Sequence, residues 1–224
     1  MKPFDKKVVL QNGQEFYGYG FGADREVVCE LVFNTAMAGY QEIVSDPGYT
    51  DQIVCMTYPL IGNYGMNDED YETKDPTMGG MIVREYNNIP SNFRYTKTLS
   101  EALEDYKIPA ISGVDTRKIT KIIREEGSQK AIICNADVPY EEALKRCRDY
   151  ELPTDLVNRV SCKQRWYSRT HNHKFDVVVL DCGIKLSLIK KRNEKGCNVT
   201  VVPCDTTSEE ILKLSPCGLL LAKG

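Results

Sequence analysis

The chain is poor in the residues that most often carry catalysis or bind metals. Its 224 residues include two histidines and one tryptophan. Both histidines, His171 and His173, lie in one polar stretch, so a Cys–His or Ser–His catalytic pair is not expected. The sequence also lacks the short motifs of a hydrolase nucleophile elbow, a zinc protease and a phosphate-binding loop. The residues by themselves therefore indicate no reaction.

Long apolar runs and large clusters of one charge are also missing. No stretch approaches the roughly 18 apolar residues that a membrane span needs, and the N-terminus has no signal-peptide core. The net charge is −3, with Lys and Arg scattered among Asp and Glu. We therefore expect no membrane partner, no nucleic-acid partner and a cytoplasmic location.

Nine cysteines are present, and their spacing decides how they are interpreted. No two of them form a C-x-x-C pair, and neither histidine stands at zinc-finger spacing from two of them. Several, such as Cys55 and Cys134, lie inside apolar runs. The pattern predicts reduced cysteines that pack as small hydrophobic side chains, and we expect no metal site.

The first half of the sequence predicts a β-rich mixed domain. Asn12-Gly13 separates two alternating runs, residues 7–10 and 15–19, which is a strong hairpin signal. The apolar pattern predicts three further strands, over residues 27–34, 52–57 and 80–84. Helices are predicted over residues 99–106, 115–126 and 139–150. The stretch 58–76 has no periodicity and is expected to be loop.

The predicted helix over residues 115–126 has two different faces. Asp115 is placed to cap its start and Gly127 to close its end. One face carries an apolar stripe of Ile119, Ile122 and Ile123, and the other carries Arg117, Lys118, Lys121 and Arg124. The basic face is either solvated or a docking surface for an acidic partner, and the sequence leaves both open.

The second half predicts a different kind of fold. Residues 151–174 are polar and irregular, which is typical of a linker or domain boundary. Strands over 176–181, 198–203 and 218–222 then alternate with helices over 184–194 and 208–214. Such a βαβαβ unit belongs to a doubly wound parallel sheet, which binds ligands at the carboxyl ends of its strands. A three-stranded sheet would leave an apolar edge bare, so we expect the front part of a longer protein.

Five motifs are more specific than any of these patterns. In chain order they are Phe33-Asn-Thr-x-Met-x-Gly-Tyr-Gln-Glu-Ile43, Asp46-Pro-x-Tyr49, Thr57-Tyr-Pro-x-Ile-Gly-Asn63, Ser91-Asn-Phe-Arg94 and Asp115-Thr-Arg-Lys-Ile-Thr120. Together they make the chain resemble the small subunit of glutamine-dependent carbamoyl-phosphate synthase over essentially its whole length.

The resemblance implies a small-subunit N-terminal domain over residues 1–150, a linker over 151–174, and the incomplete start of a class I glutamine amidotransferase domain over 175–224. The fold class it implies is α/β. In that family the small subunit takes ammonia from L-glutamine and passes it to a large subunit, which makes carbamoyl phosphate from bicarbonate and ATP for arginine and pyrimidine biosynthesis.

The resemblance also implies what this chain lacks. The family's catalytic Cys, His and Glu correspond to positions beyond residue 224, so we expect no catalytic residue, no cofactor and no glutamine hydrolysis in this chain; ATP and Mg²⁺ belong to the large subunit. A non-catalytic docking module, or an inactive fragment of the subunit, is the alternative.

Two glutamine-binding residues can be transferred from the family. Gly48 stands in the Asp-Pro-x-Tyr turn, where members have Ser or Gly, so that any contact here must come from the backbone. Gly224 is the first glycine of the family's Asn-Gly-Pro-Gly-Asp-Pro turn, whose N–H groups face the developing oxyanion.

The last quarter of the chain departs from the family pattern. The unusual residues are Cys182, Ser187, Cys217, Ala222 and Lys223. They fit an error in the sequence, a decayed fragment or a subunit that has lost its amidotransferase half, and the sequence does not rank the three.

Overall fold

The computed structural model describes residues 3–222, which divide into two units. The first comprises the residues up to Ser45, together with Tyr49–Tyr71 and Asp75–Pro153. The second comprises Asp46–Gly48, Glu72–Lys74 and the residues from Thr154 onward.

The first unit is built on a closed barrel of seven strands. The barrel order is β1-β2-β8-β6-β4-β3-β9, and β5 and β7 form a separate parallel pair. The strands are β1 Lys6–Leu10, β2 Glu15–Gly22, β3 Val27–Asn34, β4 Gln52–Met56, β5 Leu60–Ile61, β6 Gly80–Ile82, β7 Glu85–Tyr86, β8 Pro109–Ser112 and β9 Gln129–Asn135. The helices are α1 Tyr40–Val44, α2 Leu99–Asp105, α3 Thr116–Glu126 and α4 Tyr140–Asp149. A 3₁₀ turn, Pro47–Tyr49, begins in the short segment that belongs to the second unit.

The local predictions for this unit are confirmed, but its closure was not predicted. The β1–β2 hairpin, β3, β4 and helices α2, α3 and α4 lie within a few residues of their predicted bounds. Strands β5, β7, β8 and β9 and helix α1 were missed, and β5 lies inside the stretch 58–76 that was predicted to be loop. A strand of two residues is too short to show a hydrophobic period. Strand β9 closes the barrel because it pairs antiparallel with both β1 and β3. Such pairings join residues that are 98 to 129 positions apart, so no local pattern reveals them.

The barrel core contains the apolar stripe of α3. Ile119, Ile122 and Ile123 pack into one buried cluster with barrel residues such as Leu31 and Ile53. The helix begins at Asp115, whose side chain accepts a hydrogen bond from the Lys118 N–H at 3.0 Å. This confirms the predicted cap and leaves the basic side chains of α3 outside the core.

An ion pair ties the segment before β3 to helix α4. The Glu26 carboxylate accepts hydrogen bonds from Arg146 at 2.5 Å and from the Asn135 N–H at 3.3 Å. Burial by itself would raise the pKa of Glu26, but these two groups outweigh it and lower the pKa below its ordinary value of 4.5. The ion pair therefore stabilises the fold fully above pH 4.5 and loses this effect as the pH falls below it.

We expect Glu26→Gln to lower the free energy of unfolding by about 1 kcal/mol at neutral pH. The difference from wild type should shrink as the pH falls below 4.5, because the native carboxylate then becomes protonated. Urea unfolding at a series of pH values measures the difference in free energy of unfolding and its dependence on pH. Glu125→Gln, at an exposed residue 3.8 Å from Lys121, is the matched control and should show little effect. A Glu26→Gln deficit that is constant with pH would contradict the prediction.

The second unit is a four-stranded sheet in the order β10-β12-β11-β13. Its strands are β10 Trp166–Ser168, β11 Phe175–Asp181, β12 Cys197–Pro203 and β13 Gly218–Leu221, and its helices are α5 Leu156–Val160, α6 Leu186–Glu194 and α7 Ser208–Lys213. Strand β11 is parallel to both β12 and β13. The predicted βαβαβ pattern from residue 175 is therefore confirmed.

The sheet has one strand more than the sequence predicted. Residues 151–174, whose composition indicates a linker, contribute α5 and the antiparallel strand β10. Strand β10 is three residues long and is held by hydrogen bonds to the edge of β12. It can therefore form without an apolar run in its own sequence. It covers one edge of the parallel strands. At the other edge, the side chains of Leu219 and Leu221 in β13 are 51% and 66% exposed.

All nine cysteines are free, and five of them are buried. The buried residues are Cys29, Cys55, Cys134, Cys147 and Cys197, which confirms that they pack as small hydrophobic side chains. Between residues 3 and 222, no helix is both long enough and apolar enough to cross a bilayer.

Candidate functional site

The carboxyl edge of the parallel sheet is organised by one buried carboxylate. Asp181 ends β11, and its side chain accepts the N–H groups of Gly183 at 3.0 Å, Ile184 at 2.9 Å and Cys162 at 2.8 Å. The residue is 4% exposed, and Gly183 adopts φ 104, which only glycine reaches without strain. Three backbone donors thus converge on one side chain and hold the turn that follows β11.

The start of helix α6 is held by the segment Glu72–Lys74 of the same unit. The Glu72 carbonyl accepts the Leu186 N–H at 2.9 Å, and its carboxylate Oε2 accepts the Ser187 N–H at 3.0 Å. Both donors would lack intrahelical partners, since they belong to the first turn. Ser187, which departs from the family pattern, makes this contact with its backbone.

The predicted glutamine-binding residue Gly48 lies in the short segment Asp46–Gly48, which also belongs to the second unit. Gly48 is exposed, and its N–H donates to Asp46 Oδ1 at 2.9 Å. Asp46 Oδ2 forms an ion pair with Lys185 Nζ. The structure therefore places Gly48 beside an ion pair, whereas Gly224 lies outside the described residues.

Lys185 and Glu72 were missed by the sequence analysis. Lys185 is the N-cap residue of α6, a position that Ser, Thr, Asp and Asn favour. A lysine there, directly after the turn at the carboxyl edge of a strand, was a usable signal. Glu72 offered none, since it lies in a polar loop far away in sequence.

A histidine and a cysteine of the second unit contact Asp176. His173 pairs with Asp176 at 3.1 Å, and the Cys217 N–H donates to the Asp176 carbonyl at 2.7 Å. Both contacts lie at the amino ends of the strands, the edge opposite to Asp181. In the described part of the chain, no hydrogen bond joins a thiol to an imidazole, and no group of three His, Cys, Asp or Glu side chains is placed to hold a metal ion.

The first unit carries a second candidate surface, the basic face of α3. It is defined by Arg117, Lys118, Lys121 and Arg124, and borders a groove of about 840 Å³. Lys121 pairs with Glu125 at 3.8 Å, and the Lys118 ammonium lies 5.4 Å from the Phe16 ring centre. Most of this positive charge is exposed to solvent and can attract an acidic surface.

The chain thus combines a closed barrel with a parallel α/β unit of the class that binds small ligands at its carboxyl edge. The family model described as carbamoyl-phosphate synthase small chain, CPSase domain, matches residues 8–133. This is more than half of the chain, so the chain belongs to the carbamoyl-phosphate synthase small-chain family, as the resemblance predicted.

Curated relatives extend the similarity to nearly the whole chain. A carbamoyl phosphate synthase small chain from Staphylococcus epidermidis is 48% identical over 97% of this chain and 59% of its own length. One from Fusobacterium nucleatum is 44% identical over 99% of this chain and 61% of its own length. A carbamoyl phosphate synthase pyrimidine-specific small chain from Halalkalibacterium halodurans is 43% identical over 98% of this chain and 60% of its own length. The chain therefore spans about three fifths of the length of these relatives.

Proposed function

We propose that this chain serves in the small subunit of glutamine-dependent carbamoyl-phosphate synthase. That subunit supplies ammonia from L-glutamine to a large subunit that makes carbamoyl phosphate from bicarbonate and ATP. The observation that carries the proposal is the family match over residues 8–133, joined to relatives at 43–48% identity. The heterodimer with a large subunit, the cytoplasmic location and the arginine and pyrimidine pathways are parts of the same proposal.

The second unit supports a role as the first part of a class I glutamine amidotransferase domain. Its βαβαβ order and parallel pairing agree with the start of such a domain. We assign Gly48 to glutamine binding through its backbone, with Asp46 and Lys185 beside it. Glutamine carries an α-ammonium and an α-carboxylate, so a neighbouring carboxylate and ammonium offer complementary charges. Gly224 remains the second proposed glutamine-binding residue.

The chain alone is expected not to hydrolyse glutamine. Acyl transfer to sulfur needs a thiolate with a nearby base, whereas burial raises the pKa of the Cys162 thiol to about 12 and also raises that of Cys182. The test is to mix the chain with a large subunit and measure ammonia release from glutamine and carbamoyl phosphate synthesis from added ammonia. We expect a stable complex that uses ammonia and not glutamine.

Two outcomes would contradict these statements separately. Ammonia release above background, abolished by substitution of a single cysteine, would show that the chain carries a competent nucleophile. Failure of the chain to bind any large subunit, while a full-length relative binds it, would count against the subunit role itself.

A non-catalytic docking module is the second candidate, and the basic face of α3 favours it. We expect Arg117→Glu to weaken binding to the large subunit by about tenfold, mainly through slower association, because an exposed interfacial charge steers encounter. The matched control is Lys145→Glu, the same charge reversal on the exposed side of α4. Binding kinetics at two salt concentrations measure the effect. Equal weakening by both variants would show that only net charge matters.

A further inference from the structure

Two cysteines stand side by side at the carboxyl edge of the parallel sheet. Strands β11 and β12 run in parallel register, and their last pair is Asp181 with Pro203. The residue that directly follows each strand is a cysteine, Cys182 after β11 and Cys204 after β12. Neighbouring strands lie about 4.8 Å apart, and disulfides join residues whose Cα atoms are about 4.4–6.8 Å apart. Because the two cysteines directly follow this last pair, we expect them to lie within disulfide range.

Contacts around the pair hold it in a structured site. The Cys204 N–H donates to Ser161 Oγ at 2.9 Å, and the Cys204 thiol donates to Asn158 Oδ1 at 3.4 Å. Cys182 directly follows the buried Asp181, whose carboxylate holds the adjoining turn. Both cysteines are half-buried, so a small oxidant can reach them while their backbones stay fixed.

The other cysteines lack this combination. Five are buried, and Cys217 is exposed at the opposite edge of the sheet. Cys162 is half-buried nearby, but its N–H is bound to Asp181 and it follows the end of α5, outside the register of the parallel strands. Register and partial exposure coincide at Cys182 and Cys204.

We propose that Cys182 and Cys204 form a reversible oxidation site that takes hydrogen peroxide and closes to an intramolecular disulfide. In the first step a cysteine thiolate attacks peroxide: an S–O bond forms, the O–O bond breaks, and hydroxide leaves and takes a proton to become water. In the second step the other sulfur attacks the sulfenic sulfur: the S–S bond forms, the S–O bond breaks, and a second water leaves. Two thiols and one peroxide thus give one disulfide and two waters.

The surroundings assign the first step to Cys204. Burial raises the pKa of the Cys182 thiol, and the neighbouring Cys204 and Asp181 raise it further, which disfavours Cys182 as the attacking thiolate. Cys182 then acts as the resolving thiol. The disulfide would join the turn before α6 to the turn after β12. This site goes beyond the proposed function and does not depend on it.

The test is peroxide treatment of the full chain, followed by alkylation of the remaining thiols, digestion without reductant and mass mapping. We expect a peptide linked through Cys182 and Cys204 as the main product, and its loss after treatment with dithiothreitol. Cys204→Ser should abolish the crosslink and Cys182→Ser should leave a sulfenic acid on Cys204. Cys217→Ser is the control and should crosslink like wild type.

A second measurement uses the wild-type chain and tests whether the two reduced thiols are close together. Phenylarsine oxide binds two close thiols at its arsenic and loses its oxygen as water, so the reduced wild-type chain should bind one arsenical, and peroxide should prevent it. A disulfide through Cys162, oxidation confined to Cys217, or no intramolecular disulfide together with no arsenical bound would each overturn the proposal.

Discussion

Asp181→Ala is expected to lower the free energy of unfolding of the second unit by about 4 kcal/mol. Its carboxylate accepts three backbone N–H groups at 2.8–3.0 Å. Alanine supplies no acceptor, and each donor left buried without a partner costs about 1–3 kcal/mol. The loss should be concentrated in the turn after β11 and in the segment that holds Cys162.

The measurement can be confined to the second unit. Trp166 is the only tryptophan of the chain and packs against the core of that unit, so its fluorescence during urea unfolding follows this unit. Asp205→Ala, at an exposed turn after β12, is the matched control and should change stability by less than about 0.5 kcal/mol. Asp181→Asn should fall between the two, since it keeps one acceptor oxygen. A shift for Asp181→Ala as small as the control would show that water replaces the carboxylate.

Gly62→Ala is expected to cost at least about 3 kcal/mol in the first unit. Gly62 adopts φ +95, and an added Cβ would lie 2.3 Å from the Asn87 carbonyl oxygen and 2.8 Å from the Tyr86 ring. The backbone strain and the steric clash add, because β5 and β7 must separate to admit the methyl group. In this pair of strands, Leu60 lies opposite Glu85 and Ile61 lies opposite Tyr86.

Gly127→Ala separates the two causes. Gly127 also has a positive φ, +88, but nothing lies within 4 Å of an added Cβ. It should therefore show only the conformational cost, about 1–3 kcal/mol. Both variants can be followed by far-ultraviolet circular dichroism together with hydrogen exchange of β5 and β7, while Trp166 fluorescence monitors the other unit. Equal losses for the two variants would mean that the Asn87 carbonyl moves away freely.

Local order in this chain could be predicted because its signals are short-range. The Asn12-Gly13 turn set the β1–β2 hairpin, and Asp115 with three isoleucines set helix α3 and its buried side. The apolar runs after residue 175 set the parallel strands in the right order. The five motifs also indicated the family to which the chain belongs, which hydrophobic periodicity cannot reveal.

Long-range order could not be predicted in the same way. Strand β9 closes the barrel by pairing with β1 and β3, and β10 joins the sheet from a stretch whose composition resembles a linker. The sequence of neither strand identifies its partner strand, because the backbone hydrogen bonds that pair strands form with every residue type, except that proline cannot donate one. The candidate site also depends on long-range contacts. The sequence singled out Gly48 but not Lys185, which contacts Asp46 only in the folded unit.

Sequence alone thus determined the family, the types of the strongly patterned elements and the parallel strands of the second unit, since these depend on residue patterns within a few turns of chain. Tertiary structure decided the barrel closure, the ion pair beside Gly48 and the register of β11 and β12, whose ends precede Cys182 and Cys204. The reason is that each of these depends on which distant segments meet, and that is settled by packing and hydrogen bonding of the whole fold.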